Sequence, residues 1–257
     1  MSLQKSDIPI LEYDDSQRAV IMPDRKGLYA FPPKAVFPFL ADEVETFAKE
    51  NRCGKIGEFI SATKIYPIYK TRYQSEEVCF CQAPVGAAAA VQLLDFLIGY
   101  GVRQVISAGT CGAISDLREN EFIVPTEALR CEGTSYHYLP PSRTVRLDED
   151  AAAAIERALA KNGVPCRRGK TWTTDGFFRE TKDMVQYRKA EGFDVVEMEC
   201  SALAACARFR GAEFGQTLFT ADTLANVEAH DDRNWGLQSF PLALKLCFEA
   251  VLEMPSL

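Results

Sequence analysis

Residues 86–112 read GAAAAVQLLDFLIGYGVRQVISAGTCG and carry the clearest structural signal in the chain. The alanine-rich residues 86–99 place their large apolar side chains at a helical period, which predicts a helix. Residues 104–108, QVISA, are apolar and β-branched, and they run directly into Gly109. A strand without polar alternation is typical of the centre of a sheet, where both faces are covered.

The alternation of strand and helix extends over most of the chain. Strands are predicted at residues 58–62, 65–69, 78–83, 104–108, 121–129, 168–174, 195–196 and 214–220. Helices are predicted at residues 42–50, 86–99, 148–162, 182–191, 198–210 and 237–253, with Asp42 and Asp148 as N-caps and Gly163 and Gly211 as stops. Pro125 indicates an edge or a bulge in its strand, and residues 131–147 are expected to form a loop. The pattern predicts one α/β domain over residues 34–257, with residues 1–33 as an N-terminal arm packed on it.

The charge balance argues against one class of partner. The 257 residues include 29 Lys and Arg against 36 Asp and Glu, a net charge of −7, without a block of like charge. Proteins that wrap nucleic acid usually carry a basic excess, so nucleic acid is not expected as a partner. No apolar run approaches the ~20 residues that span a bilayer, and the N-terminus lacks the apolar core of a signal peptide, so no membrane association is expected.

Nine cysteines are many for this length, but their spacing argues against a metal site. They stand at residues 53, 79, 81, 111, 131, 166, 200, 206 and 247, without a CxxC pair, and the only histidines are His137 and His230. Zinc-site spacing is therefore missing, and no metal is expected. Several cysteines lie in apolar runs, which favours buried free thiols and a cytoplasmic location.

The segments that follow the predicted strands are the first places to look for a site, because ligands bind at the carboxyl ends of strands in α/β sheets. Residues 107–114 read SAGTCGAI, with two glycines around a hydroxyl. Gly109 lets backbone N–H groups approach an oxyanion, and Thr110 can donate as well. A tight turn after the strand is the alternative interpretation.

Two carboxylates follow the strand at residues 195–196. Glu197 and Glu199 flank Met198 amid small apolar residues, where an unpaired carboxylate is costly. A carboxylate held there can accept hydrogen bonds from two adjacent hydroxyls of a polyhydroxylated ligand, and the methionine offers a soft apolar surface beside it. Capping of the following helix is the alternative interpretation.

Two further segments carry aromatic and acidic candidates. In TTDGFFRET, residues 173–181, Phe177 or Phe178 could stack on a flat base, although both could equally be core residues. In TADT, residues 220–223, Asp222 ends an apolar strand and is a candidate general acid. An Asx turn is the alternative role for Asp222.

Together, and in this order, the segments GTCGAI, TTDGFFRET, VVEMECSALAACARFRG and TADTL resemble the signature set of the nucleoside phosphorylase family. This family includes purine nucleoside phosphorylase, uridine phosphorylase and the methylthioadenosine nucleosidases. The resemblance covers roughly residues 34–254, and the EME-plus-alanine helix is its most specific part. Residues 132–138, EGTSYHY, resemble members similar to uridine phosphorylase.

The resemblance implies a fold, a reaction and roles for the candidates. The implied fold is a three-layer α/β/α sandwich around a mixed, twisted sheet, and the implied reaction is attack of phosphate on C1′ of a nucleoside. Glu199 and Asp222 are then the catalytic candidates, Asp222 as the acid that protonates the departing base. The implied ribose-binding residues are Glu197, Met198 and Glu199, the base-binding residues are Phe177, Thr174 and Arg179, and the phosphate-binding residues are Gly109, Thr110 and Lys64.

The chain departs from the family pattern at the phosphate site. Residues 41–43, Ala-Asp-Glu, stand where relatives have a Gly-Asp-Pro loop, and Ser107 stands where the loop arginine is usual. Lys64 replaces the arginine that a neighbouring subunit usually lends. The residues that read uracil in uridine phosphorylases would fall near Thr181 and Asp183, which do not match, whereas Asp222 leans towards a purine.

Three functions follow from this comparison. The favoured one is a nucleoside phosphorylase without a cofactor, with phosphate as co-substrate, which recruits phosphate through other cations such as Lys64, Arg72, Arg130, His137 or Arg179. The alternatives are a nucleosidase that uses water and a nucleoside-binding protein without turnover. The resemblance also implies a homo-oligomer, either a dimer or a hexamer built from dimers.

Overall fold

A computed structural model of the chain describes residues 3–24 and 27–256. Its strands are β1 Lys34–Val36, β2 Gly54–Ile60, β3 Ile65–Tyr73, β4 Glu76–Phe80, β5 Gln104–Ala113, β6 Phe122–Cys131, β7 Thr144–Arg146, β8 Cys166–Thr174, β9 Val195–Glu197 and β10 Glu213–Thr223. Its α-helices are α1 Glu43–Glu50, α2 Ala87–Gly99, α3 Glu149–Lys161, α4 Lys182–Ala190, α5 Cys200–Arg210 and α6 Phe240–Glu253.

The strands of the described residues form one mixed sheet in the order β10-β6-β8-β9-β5-β1-β4-β3-β2, with β7 paired to β6. Strand β10 also pairs with β5, so that β5, β9, β8, β6 and β10 close into a ring. Strand β5 has parallel partners in β1 and β10 and an antiparallel partner in β9. The expected α/β architecture with a mixed central sheet is confirmed, and β5 is its central strand.

Helices cover the sheet from two sides, and each side has its own hydrophobic core. One core buries side chains of α2 and α5, such as Leu94 and Leu203, together with Phe214 of β10. The other core joins α1, α3 and α6, and includes Ile155 and Phe248. The helices therefore leave the carboxyl ends of the central strands as the place where a ligand can approach.

The glycine-containing segment after QVISA is part of strand β5, and the expectation that the strand ends at Ala108 was wrong. The strand continues to Ala113, because Gly109 and Cys111 pair with Leu218 and Thr220 of β10. Glycine suits position 112 because it has no Cβ, and a Cβ there would lie only 2.8 Å from Leu224 Cδ1. Extended pairing thus takes the place of the predicted loop.

Asp42 and Asp148 stand at the N-cap positions of α1 and α3, as predicted, but they do not cap these helices through their side chains. Instead, Asp148 accepts a hydrogen bond of 2.8 Å from the backbone N–H of Phe214, which ties α3 to the start of β10. By contrast, Gly163 and Gly211 adopt the left-handed conformation that ends α3 and α5 as predicted.

Several boundaries moved for tertiary reasons. Strand β2 begins at Gly54 because it pairs along β3, and helix α5 begins at Cys200 after a turn at the acidic pair. Strand β7 lies inside the predicted loop, paired to β6. The predicted irregularity at Pro125 is confirmed, since the register of β6 against β8 shifts between Pro125 and Glu127. No helix in residues 3–24 and 27–256 is long and apolar enough to cross a bilayer.

The thiols yield a first testable prediction. All nine cysteines are unpaired, and those at 79, 81, 111, 200, 206 and 247 are buried. Burial raises the pKa of the Cys79 thiol to about 12, which suppresses the reactive thiolate. We expect native protein to expose to Ellman's reagent only Cys53, Cys131 and Cys166, and denatured protein to react at all nine. Rapid reaction of all nine in the native protein would contradict this arrangement.

Candidate active site

One cavity of about 190 Å³ collects most of the candidate residues. It lies at the carboxyl ends of β5, β9 and β10. Its lining includes residues 109–112, residues 196–199 and Asp222, which lie in these strands or directly after them. Phe39, Val85, Phe177, Glu180, Gln216 and Trp235 complete the lining. Seven of the ten candidate site residues therefore lie around one cavity.

Glu199 is buried at the base of this cavity, against the N-terminus of helix α2. Its Oε1 accepts a hydrogen bond of 2.6 Å from the backbone N–H of Gly86, which has φ +96° and precedes the first turn of α2. The positive end of a helix dipole favours a carboxylate at this position. Burial, and then the charge of Glu197, nevertheless raise the pKa of Glu199. The carboxyl group of Glu199 is therefore held in place, and further hydrogen-bond donors from a ligand would stabilise its charged form.

Glu197 is satisfied within the protein. Its Oε1 accepts from the hydroxyls of Thr171 and Thr173 at 3.1 and 2.6 Å, and its Oε2 accepts from the backbone N–H groups of Glu199 and Cys200, both at 2.7 Å. Burial raises the pKa of Glu197, although these four donors oppose the shift. This geometry favours the capping interpretation, with Glu197 fixing the backbone on which Glu199 stands.

The role of Glu197 in stability can be tested by truncation. Glu197→Ala leaves two hydroxyls and two backbone N–H groups of the interior without their acceptor, so we expect the free energy of unfolding to fall by about 3 kcal/mol. Urea titration followed by circular dichroism measures this change. Glu119→Ala, at an exposed glutamate, is the matched control and should stay within about 0.5 kcal/mol of the parent. An equal loss in both variants would show that the network contributes nothing specific.

Asp222 ends strand β10 with its side chain almost entirely buried. Its Oδ2 lies 2.9 Å from Nε2 of His230. The backbone N–H of Leu224, which an Asx turn would use, instead donates to the carbonyl of Ala113 at 2.8 Å. The Asx-turn interpretation is therefore not realised, and the Asp222 carboxyl faces the cavity and the histidine.

Aromatic rings form the outer wall of the cavity. Phe177 is 40% exposed and its ring centroid lies 6.5 Å from that of Trp235, whereas Phe178 is 92% exposed. Of the two adjacent phenylalanines, Phe177 is thus the one placed to stack on a ligand. Trp235 has no sequence signal that would have identified it, because it lies in a segment without regular periodicity.

Glu180 is a further cavity residue that sequence reasoning did not single out. It follows the two phenylalanines in TTDGFFRET, and its backbone ends the short 3₁₀ turn Phe177–Arg179. Burial, and then the charge of Asp222, raise the pKa of Glu180 to about 8. The available signal was an acidic residue two positions after the aromatic pair.

The predicted phosphate-binding residues do not all line this cavity. Gly109 and Thr110 line the cavity, but Lys64 lies in the turn between β2 and β3, with its Nζ 5.2 Å from the centre of the Tyr66 ring. None of the other candidate cations, Arg72, Arg130, His137 and Arg179, is among the described cavity residues. Arg130 is instead committed to its own loop, donating to the hydroxyls of Ser135 and Ser142 and to the carbonyls of Leu139 and Pro140.

The remaining base-binding candidates lie beside the cavity. Thr174 ends β8, and its hydroxyl accepts a hydrogen bond of 3.1 Å from the backbone N–H of Gly176. Arg179 is exposed on the 3₁₀ turn after Phe177. Met198 is half-buried in the cavity wall between the two glutamates, as its sequence position predicts. Among the described residues, no cluster of His, Cys, Asp and Glu is arranged to hold a metal ion.

The cavity is acidic. Four carboxyl groups line it, from Glu180, Glu197, Glu199 and Asp222, and no lysine or arginine does so within the described part of the chain. Such a lining suits hydroxyl groups and N–H donors of a neutral ligand, because carboxylates accept hydrogen bonds from both.

Comparison with known proteins finds relatives of this chain. Residues 33–253 match the sequence profile of the phosphorylase superfamily. The guanosine phosphorylase of Halorubrum lacusprofundi is 26% identical over 159 residues, which cover 62% of this chain and 66% of that protein. The chain spans from about half to about two thirds of the length of the curated relatives it matches.

Solved structures share the fold. The uridine phosphorylase of Vibrio fischeri superposes with a TM-score of 0.74 at 21% identity, covering 89% of this chain and 99% of that one. The AMP nucleosidase of Bacteroides thetaiotaomicron superposes with a TM-score of 0.71 at 22% identity, covering 86% of this chain and 88% of that one. At these identities the likeness establishes the architecture alone.

Proposed function

The chain belongs to the phosphorylase superfamily, and on that premise we propose that it is a nucleoside phosphorylase. The proposed reaction cleaves the N-glycosidic bond of a nucleoside, preferably a purine nucleoside, with phosphate, and yields the free base and ribose 1-phosphate. One observation carries the proposal: Glu199, at the start of α5, and Asp222, near the end of β10, line a single cavity that Phe177 lines as well.

The geometry supplies what such a reaction requires. As the bond to C1′ breaks, positive charge develops on the ribosyl group and negative charge develops on the base. The carboxylate of Glu199 accepts hydrogen bonds from the ribose hydroxyls and stabilises the positive sugar. Asp222 donates a proton to the departing base, and Phe177 stacks on the base and holds it in line.

A relative named guanosine phosphorylase supports phosphate as the acceptor. Thr110 and the backbone around Gly109 are the cavity groups available to phosphate, and the cation would come from Lys64 of a neighbouring copy. The proposal therefore includes a homo-oligomer. Nine unpaired cysteines support a reducing, cytosolic location.

Hydrolysis is the second candidate, and one observation favours it. The described cavity lining has no lysine or arginine to neutralise phosphate, whereas an attacking water needs no cation. A structural neighbour named AMP nucleosidase shows that the fold is not confined to proteins named phosphorylases.

A panel of purine and pyrimidine nucleosides, each incubated with and without phosphate, separates the candidates. We expect base release that requires phosphate and yields ribose 1-phosphate, detected by chromatography and phosphorus NMR. Base release at an equal rate without phosphate would replace the phosphorylase with a nucleosidase. Tight nucleoside binding without release would identify a binding protein.

A further inference from the structure

His230 lies next to the proposed general acid for a topological reason. After β10 the chain turns over residues 224–230 and returns, so that Thr223 and Asp231 form an antiparallel bridge. The backbone N–H of Thr223 donates to the carbonyl of Asp231 at 2.9 Å. Residues 222 and 230 are therefore diagonal neighbours on the same face of this bridge, which brings the imidazole to the carboxyl.

The two side chains differ sharply in exposure. The Asp222 side chain is 7% exposed, whereas the His230 side chain is 49% exposed. The imidazole Nε2 lies 2.9 Å from Asp222 Oδ2, so one ring connects the buried carboxyl to solvent. The centre of the Trp235 ring, which lines the cavity, lies 6.0 Å from the centre of the His230 ring.

Two other titratable groups face Asp222, but among the described residues neither makes a hydrogen bond to its carboxyl group. Glu180 faces it from the turn after β8, and Cys111 faces it from β5. Cys111 is buried, and burial raises its pKa far above neutrality. Glu180 is partly buried, and its carboxyl group raises the acidity of the surroundings without contacting Asp222 through a hydrogen bond in the described part of the chain. His230 alone combines a hydrogen-bonding contact with substantial exposure.

A buried acid needs a route for its proton in each catalytic cycle. When the C1′–N bond breaks, its electron pair stays on the nitrogen of the base, and that nitrogen takes the proton of Asp222. A buried carboxylate then remains at Asp222. A carboxylate in a closed cavity is costly until it is protonated again.

We propose that His230 is a positioning and proton-relay residue that returns a proton from solvent to Asp222 after each turnover. This inference rests on the proposed function. The imidazolium transfers the proton on Nε2 to Oδ2 and becomes neutral, with its remaining proton on Nδ1. The half-exposed ring then takes a proton from water or buffer on Nε2, which restores the imidazolium for the next turnover. An imidazole suits this step because it gains and loses a proton readily near neutral pH.

Two substitutions separate proton transfer from simple hydrogen bonding. His230→Gln keeps an N–H donor near Asp222 but cannot carry a proton, and His230→Ala removes both. We expect kcat for nucleoside cleavage to fall about 10-fold in each, less than for loss of the acid itself. We expect KM to change less than about twofold, since His230 is not placed against the ribose or the base stack. Added imidazole should restore much of the kcat of His230→Ala.

Lys245→Gln is the control for a substitution by glutamine, because Lys245 is exposed on α6 and lies outside the catalytic cavity. A second control is an aryl riboside whose leaving group needs no proton, and its cleavage should be unaffected by His230→Gln. The proposal is overturned if His230→Gln retains the parent kcat, or if the aryl riboside is slowed as much as the nucleoside. The parent protein failing to cleave any nucleoside would instead refute the proposed function.

Discussion

Glu199→Gln is expected to reduce kcat/KM for nucleoside cleavage by about 100-fold or more, which corresponds to roughly 3 kcal/mol of transition-state stabilisation. The amide still accepts from Gly86 N–H, so the position of the side chain is retained. What is lost is the negative charge that stabilises the positive sugar, and one of the oxygens that accept from its hydroxyls. Steady-state kinetics on the best nucleoside of the panel measures the loss.

Protein stability provides an independent readout for this substitution. The pKa of Glu199 is raised in the folded state above its unfolded value, so its contribution to stability is present below about pH 4.5 and is lost as pH rises through the folded pKa. A neutral glutamine avoids that loss. We therefore expect the variant to melt at the same or a higher temperature than the parent at about pH 8, despite its low activity.

Glu43→Gln is the control for Glu199→Gln, because it makes the same chemical change in the first turn of α1, outside the cavity. Its kcat/KM should stay within about twofold of the parent. Comparable losses in the two variants would mean that the ribose-binding assignment of Glu199 is wrong. A lower melting temperature for Glu199→Gln at about pH 8 would show that the charge stabilises the fold rather than the transition state.

Asp222→Asn is expected to slow cleavage of purine nucleosides by about 100-fold to 10,000-fold, the usual contribution of a positioned general acid. Asparagine has nearly the same shape and can still hydrogen-bond to His230, but it has no proton to transfer. Rates for a purine nucleoside and for an activated aryl riboside should be compared in the parent and the variant. The aryl riboside should be slowed far less, because its leaving group departs as a stable anion.

Equal slowing of the two substrates would remove Asp222 as the general acid and would assign it a binding or structural role. Glu180→Gln is an informative companion variant, since the charge of Asp222 contributes to raising the Glu180 pKa to about 8. Folded-state stability from this group is present below about pH 4.5 and is lost as pH rises through about 8. The parent should therefore lose more thermal stability than Glu180→Gln between about pH 5 and pH 9.

Local sequence patterns predicted much of the fold. The apolar QVISA segment indicated a central strand, and β5 is central because its side chains have no polar face to present to water. The helical period of residues 86–99 likewise matches α2, whose apolar residues are buried. Asp148 stands at the predicted N-cap of α3, but its side chain accepts a hydrogen bond from the backbone of β10 and does not cap the helix.

Part of the candidate site could be predicted from the sequence, because its residues lie near strand ends. Glu199, Asp222 and Phe177 each follow a strand, and parallel or neighbouring strands bring such positions to one edge of the sheet. Glu180 and Trp235 were missed because neither lies at a strand end. The sequence left the role of Glu197 open between ligand binding and helix capping, since two of its hydrogen-bond donors come from β8, at Thr171 and Thr173.

The sequence alone determined the α/β class, the buried central strand and the identity of the carboxylates, because hydrophobic period and residue type are local properties. The tertiary structure decided which of these groups share a cavity. It placed Glu180 and His230 around Asp222, satisfied Glu197 within the protein and left Lys64 in a distant turn. These outcomes depend on contacts between residues far apart in the chain, on strand register and on burial, and those quantities are set only when the whole chain packs.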